Sequence, residues 1–139
     1  MEARVNWKEG LAFDGLGGSS GLTMPLDTSV ESGGSNSGFR PMELLLVGLA
    51  GCTGMDVISI LQKKKQDVTD FEVRVHGDRA EDHPKIFTHI LIDFIVTGNN
   101  VDRAAVDRAV ELSSTKYCSA QAMLGKAANI ETRITIKEA

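Results

Sequence analysis

Polar and apolar residues alternate with a period of two over residues 2–8. Ala3, Val5 and Trp7 fall on one face, and Glu2, Arg4, Asn6 and Lys8 on the other, which predicts a strand exposed on one side. Leu11 and Phe13 extend the alternation to Asp14-Gly15, a pair that reads as a turn. Leu22, Met24 and Leu26 alternate again beyond a glycine-rich tip, predicting an antiparallel meander whose last strand, holding Pro25, lies at an edge. Thr28 to Phe39 is Ser/Gly-rich and reads as a flexible connector that also leads into the next element.

The longest apolar stretch is Arg40 to Lys65, RPMELLLVGLAGCTGMDVISILQKKK. Pro41 suits the first helical position, Glu43 the positive end of the helix dipole, and Lys63, Lys64 and Lys65 its negative end. Its large apolar residues spread around the whole circumference, which predicts a buried central helix. Gly48, Gly51 and Gly54 each cost about 1 kcal/mol of helix propensity against alanine. Their recurrence at every third position has two explanations: close backbone packing, or space beside Cys52 for a small ligand.

Phe71, Val73 and Val75 mark another one-sided strand, and Asp78 to Lys85 a charged hairpin connection. Ile86 to Thr97 predicts a long strand, with Ile86, Thr88, Ile90, Ile92, Phe94 and Val96 on the buried face. Gly98-Asn99-Asn100 ends it. Val101 to Lys116 has helical spacing, Ser119 suits the cap of a short helix to Leu124, and Gly125 suits its stop. Ile130 to Ile136 closes the chain as a strand. The order βββ–α–ββ–αα–β, with strands bunched rather than alternating with helices, indicates the α+β class.

A chain of 139 residues is most simply one domain, 1–139. Its 42% hydrophobic and 24% charged content is that of a globular protein. A net charge of −4 argues against nucleic acid or an anionic membrane as partner. The first ten residues lack the apolar core of a signal peptide, so a cytoplasmic location is expected. The glycines and Asp56 interrupt the central stretch, which is expected to fall short of a membrane span.

Two cysteines, Cys52 and Cys118, are the candidate chemistry. Cys52 lies mid-helix among apolar residues and reads either as a small core residue or as a nucleophile, with Asp56 one turn on opposing a thiolate. Cys118 precedes a predicted helix start, where thiolates are favoured, and reads equally as a plain loop residue. Of the three histidines only His89 is expected inside, as a hydrogen-bonded core residue. None of them has metal-ligand spacing with the cysteines, so neither metal nor cofactor is expected.

The pattern Pro41-Met42-Glu43-Leu44-Leu45, then Ala50-Gly51-Cys52, then Cys118 at the start of a short helix resembles the OsmC/Ohr family of osmotically inducible and organic-hydroperoxide-resistance proteins. The segments GCTGMDVISILQKKKQ, FTHILIDFIVTG and KYCSAQAML are closest to its YhfA-like branch, and the likeness spans the whole chain.

The resemblance implies antiparallel sheets wrapped around a buried central helix in an intertwined homodimer, with two sites at the interface. It implies that Cys52 attacks an organic hydroperoxide, that Cys118 resolves the sulfenic acid to a disulfide, and that an external dithiol reduces it. The family's activating arginine after the first strand has no counterpart in residues 9 to 22, and Met42 stands where its Asn-Pro-Glu motif has glutamate. Glu43, nine residues before Cys52, falls about 180° round and roughly 13 Å along a straight helix. Arg40 is the nearest candidate activator, with Arg4 or Lys8 of a partner subunit as others. The competing expectation is a non-catalytic dimer that binds a small apolar ligand or senses redox state.

Overall fold

The computed structural model describes all 139 residues as two compact units, Met1–Leu45 and Leu46–Ala139. In the first, β1 (Ala3–Glu9), β2 (Ala12–Gly17) and β3 (Thr23–Leu26) form an antiparallel meander in the order β1-β2-β3. Pro25 thus sits on an edge strand, as its missing amide hydrogen requires. The turn does not fall at Asp14-Gly15, which lies within β2 opposite Asn6 and Val5. It falls at Gly10, whose φ of 55° suits glycine and whose carbonyl accepts the Trp7 indole N–H at 3.0 Å. Gly15 serves a close approach instead, because a Cβ there would lie 2.8 Å from Leu26 Cδ1. The apolar side of β1 is uncovered, with Val5 57% and Trp7 67% exposed.

Residues 28–39, expected as a flexible connector, are tied to one buried carboxylate. Asp27, 3% exposed, accepts the Thr28 amide at 2.8 Å, the Ser35 amide at 3.0 Å, and the Ser37 amide and hydroxyl at 3.1 and 2.7 Å. The Ser37 hydroxyl, followed by the Thr28 amide, pulls its pKa down from 3.8 to about 2 against the opposing effect of burial. A depressed carboxyl pKa contributes stability that is complete above about pH 4 and lost as pH falls through about 2. Asp27→Ala is therefore expected to lower the thermal midpoint at pH 7, with the gap to wild type closing between pH 4 and 2 in parallel melts. Asp27→Asn should recover only part, because its amide NH2 must face at least one of the donors that the carboxylate satisfied.

The helix α1 (Pro41–Lys63) begins with one half of a capping box: Glu43 Oε2 accepts the Arg40 amide at 2.8 Å. At 23 residues it is long and apolar enough, by length and composition, to cross a membrane, because neither the glycines nor Asp56 breaks it. The expectation that it falls short of a span is corrected to that extent; a core helix passes the same test.

In the second unit β4 (Asp67–Arg79), β5 (Phe87–Asn99) and β6 (Asn129–Glu138) form a sheet in the order β4-β5-β6. The β4–β5 ladder is antiparallel, but β6 runs parallel to β5, so this sheet is mixed where an antiparallel one was expected. The core is Phe94, Ile90, Ile92, Val96, Leu49, Val57 and Leu61, with Val106 from α2 (Arg103–Leu112). On β5 the predicted inward face holds from Ile90 to Val96, whereas Ile86 and Thr88 are exposed and Phe87 is buried. The cause is a bulge: Asp78 pairs with His89 and Arg79 with Phe87, leaving Thr88 unpaired and reversing the alternation. His89 is half-buried rather than in the core, with Nδ1 3.5 Å from Asp78 and Nε2 3.2 Å from Glu131.

Only Leu49, Thr53, Val57 and Leu61 of α1 are buried, a stripe at i, i+4, i+8 and i+12. The expectation of a helix buried all round is not met within one chain, since Leu45, Val47 and Met55 are 47%, 55% and 74% exposed. Close packing at the glycines is likewise not supplied by this chain: a Cβ at Gly48 or Gly51 would meet no atom within 4 Å, and one at Gly54 would make only an ordinary 3.4 Å contact with Val73.

Candidate functional site

The two cysteines, 66 positions apart, meet in the second unit. Cys52 is half-buried on α1. Cys118 is 3% exposed and caps α3 (Ser119–Leu124), its Sγ accepting the Gln121 amide at 3.3 Å. The cap is thus Cys118 itself, one residue before the predicted Ser119. Both thiols are free. Burial pushes the Cys118 thiol up to about 11, and the hydrogen bond and charge of the adjacent Cys52 sulfur push it the same way. The Gln121 amide pulls down but loses to burial. The expectation that a helix start favours a Cys118 thiolate is therefore corrected: at neutral pH Cys118 is a thiol. Its partner is the more accessible sulfur.

A π-helical turn, Ser113–Tyr117, follows α2 and delivers the chain to Cys118, whose amide donates to the Ser113 carbonyl at 2.9 Å. Three buried side chains behind it were not singled out in the sequence. Ser113 donates to Asp56 Oδ2 at 2.9 Å, Thr53 Oγ1 lies 2.8 Å from Ser113 Oγ, and Gln121 Nε2 donates to Thr53 Oγ1 at 3.1 Å. Thr53 and Ser113 are wholly buried. One signal was available: Thr53 falls on the Leu49–Val57–Leu61 stripe, where a hydroxyl requires a partner. Asp56, which in sequence reads as an interruption of the apolar stretch and an opponent of the Cys52 thiolate, terminates this row. Beyond it opens a cavity of about 580 Å³ lined also by Met55, Ile60, Lys63, Leu112 and Tyr117.

Arg40 belongs to the first unit, where its guanidinium donates to the Gly38 carbonyl at 2.9 Å and to the Asn36 side chain. Two of its five N–H donors are thereby used. A separate cavity in that unit, about 420 Å³, is walled by Val5, Leu11, Phe13, Leu26 and Pro41. No group of three or more His, Cys, Asp or Glu side chains is placed to hold a metal ion.

A family model described as "OsmC-like protein" matches residues 34–133. Protein YhfA of Escherichia coli (strain K12) is 49% identical over 133 residues, covering 94% of this chain and 93% of that protein. A solved structure of a hypothetical protein from Aquifex aeolicus VF5 is similar with a TM-score of 0.86 at 33% identity, over 99% of this chain and 96% of the other. An organic hydroperoxide resistance protein OsmC from Legionella pneumophila has the same fold, with a TM-score of 0.73 at 15% identity over 96% of this chain and 95% of the other.

Proposed function

The chain belongs to the OsmC-like family, in its YhfA-like branch, and from that premise we propose that it is a cytoplasmic thiol-dependent peroxidase that reduces organic hydroperoxides. The observation that carries this reading is the meeting of the half-buried Cys52 with a buried, protonated Cys118. Solved relatives of the same fold are named as organic hydroperoxide resistance proteins, among them one from Legionella pneumophila.

Cys52, as thiolate, attacks one oxygen of the peroxide. The O–O bond breaks, the alkoxide leaves and takes a proton to become an alcohol, and Cys52 becomes a sulfenic acid. Cys118 then attacks the Cys52 sulfur. The S–O bond breaks as S–S forms, and the Cys118 proton leaves with the hydroxide as water. An external dithiol returns the disulfide to two thiols. Apolar residues one turn to either side of Cys52 on α1, Leu49 and Met55, favour an organic peroxide over hydrogen peroxide.

The working form in this proposal is a homodimer, in which a second copy covers the exposed side of α1 and the apolar side of β1. Arg40 takes the role of charge partner to the Cys52 thiolate there, with the three N–H donors that its own loop leaves free.

The apolar cavity in the first unit favours a second reading, a dimer that binds a small apolar molecule and leaves its thiols unused. Thiol counting separates the two. Stoichiometric cumene hydroperoxide is expected to remove two free thiols per chain, recovered by a dithiol, with hydrogen peroxide acting more slowly. Two unreacted thiols under the same treatment would exclude the peroxidase and leave the binder.

A further inference from the structure

The hydrogen bonds behind Cys118 have a direction. The Asp56 carboxylate is an acceptor only, so the single Ser113 proton goes to it at 2.9 Å. Thr53 must then donate to Ser113 across their 2.8 Å contact, and Gln121 Nε2 donates to Thr53 at 3.1 Å. Every proton in this buried row points toward Asp56, and bonds aligned in this way strengthen one another.

The row joins the pieces of the thiol site. Gln121 gives its side chain to Thr53 and its backbone amide to Cys118 Sγ. The Ser113 hydroxyl donates to Asp56, and its carbonyl accepts from the Cys118 amide. Thr53 is the residue after Cys52 on α1. The π-helical turn between Ser113 and Cys118 is an irregular stretch, which the row clamps from both sides.

We propose that the row Gln121–Thr53–Ser113–Asp56 is the device that positions Cys118 against Cys52. Its members are positioning residues: none touches the peroxide. The proposal rests on the peroxidase reading for its consequence, which is confined to one step. Condensation of the Cys52 sulfenic acid with the Cys118 thiol needs the two sulfurs aligned and should slow without the row. The attack of Cys52 on peroxide precedes that step and should not change.

The test compares Thr53→Val, which keeps the shape and removes the hydroxyl, with Thr53→Ser, which keeps the hydroxyl. Single-turnover peroxide consumption reads the first step. Capture of the sulfenic acid by a 1,3-dione, followed by mass spectrometry, reads the second. Thr53→Val is expected to slow condensation about tenfold and raise the trapped fraction, with the first step unchanged and Thr53→Ser near wild type. Gln121→Met, which removes the side-chain donor of the row and keeps the backbone amide, should act in the same direction more weakly and serves if Thr53→Val does not fold.

A second arm needs no peroxide. In a Cys52→Ser background, alkylation of Cys118 by iodoacetamide should rise several-fold with Thr53→Val and not with Thr53→Ser. Should the wild type consume no peroxide, the peroxidase reading fails and this arm still decides the row. Equal behaviour of the two Thr53 variants, or a parallel fall in both steps, would overturn the proposal.

Discussion

Cys52→Ser is expected to reduce organic hydroperoxide consumption by roughly 10³-fold or more, the usual scale for loss of a nucleophile. Cys118→Ser should behave differently. It should consume one equivalent of peroxide at an unchanged rate, then stop with a sulfenic acid that a 1,3-dione captures on Cys52. The asymmetry follows from the environments of the two sulfurs. Only a thiolate attacks a peroxide readily, and burial holds Cys118 at about 11, so that it remains protonated throughout the neutral range. As resolving thiol, Cys118 must give up that proton while it attacks the Cys52 sulfur, and the departing hydroxide takes it as water. Single-turnover kinetics with mass spectrometry would check both variants. Full activity in Cys52→Ser, with loss in Cys118→Ser, would reverse the assignment.

The element order and the α+β class could be read from hydrophobic periodicity because most elements keep one apolar period along their length. Errors arose where one residue breaks a period. An unpaired Thr88 reverses the inward face of β5 and exchanges Ile86 for Phe87, and no local pattern announces a bulge whose cause is pairing with another strand. Asp14-Gly15 has turn composition, yet Gly10 already supplies the left-handed residue the turn needs, and β2 runs on through the pair. Asp27 was hidden because a carboxylate that accepts four bonds from a serine-rich loop looks, in sequence, like one more polar residue of that loop.

The two cysteines were found, but their difference was not. A helix start lowers a thiol pKa and burial raises it, and sequence displays the first effect while concealing the second. The row behind them was hidden for a similar reason. Thr53, Ser113 and Gln121 are ordinary polar residues until packing removes water from them, and only then do they require one another. The resemblance that named the cysteines carried no information about these three.

Substitution at Gly51 should have opposite effects on one chain and on the pair. Within the chain a Cβ at the exposed Gly51 meets nothing within 4 Å, so Gly51→Leu adds helix propensity, worth about 1 kcal/mol. If Gly48 and Gly51 instead form the flat strip on which a second α1 rests, the leucine separates the helices and the dimer weakens. Gly51→Glu should weaken it further, because an unpaired charge in such a contact costs about 3–5 kcal/mol, or roughly two to three and a half decades in dissociation constant. Sedimentation over a range of concentrations would read the association, and circular dichroism the helix. A wild-type dimer, with both variants shifted toward monomers of undiminished helicity, is the expected result. Unchanged association in both would mean that another surface, such as the open side of β1, makes the contact. The exposed Leu45, Val47 and Met55 would then still require a cover. The physical reason to expect a second copy lies in the helix itself: two glycines that pack on nothing in their own chain lower the stability of that chain, and a close neighbour is the simplest compensation for the loss.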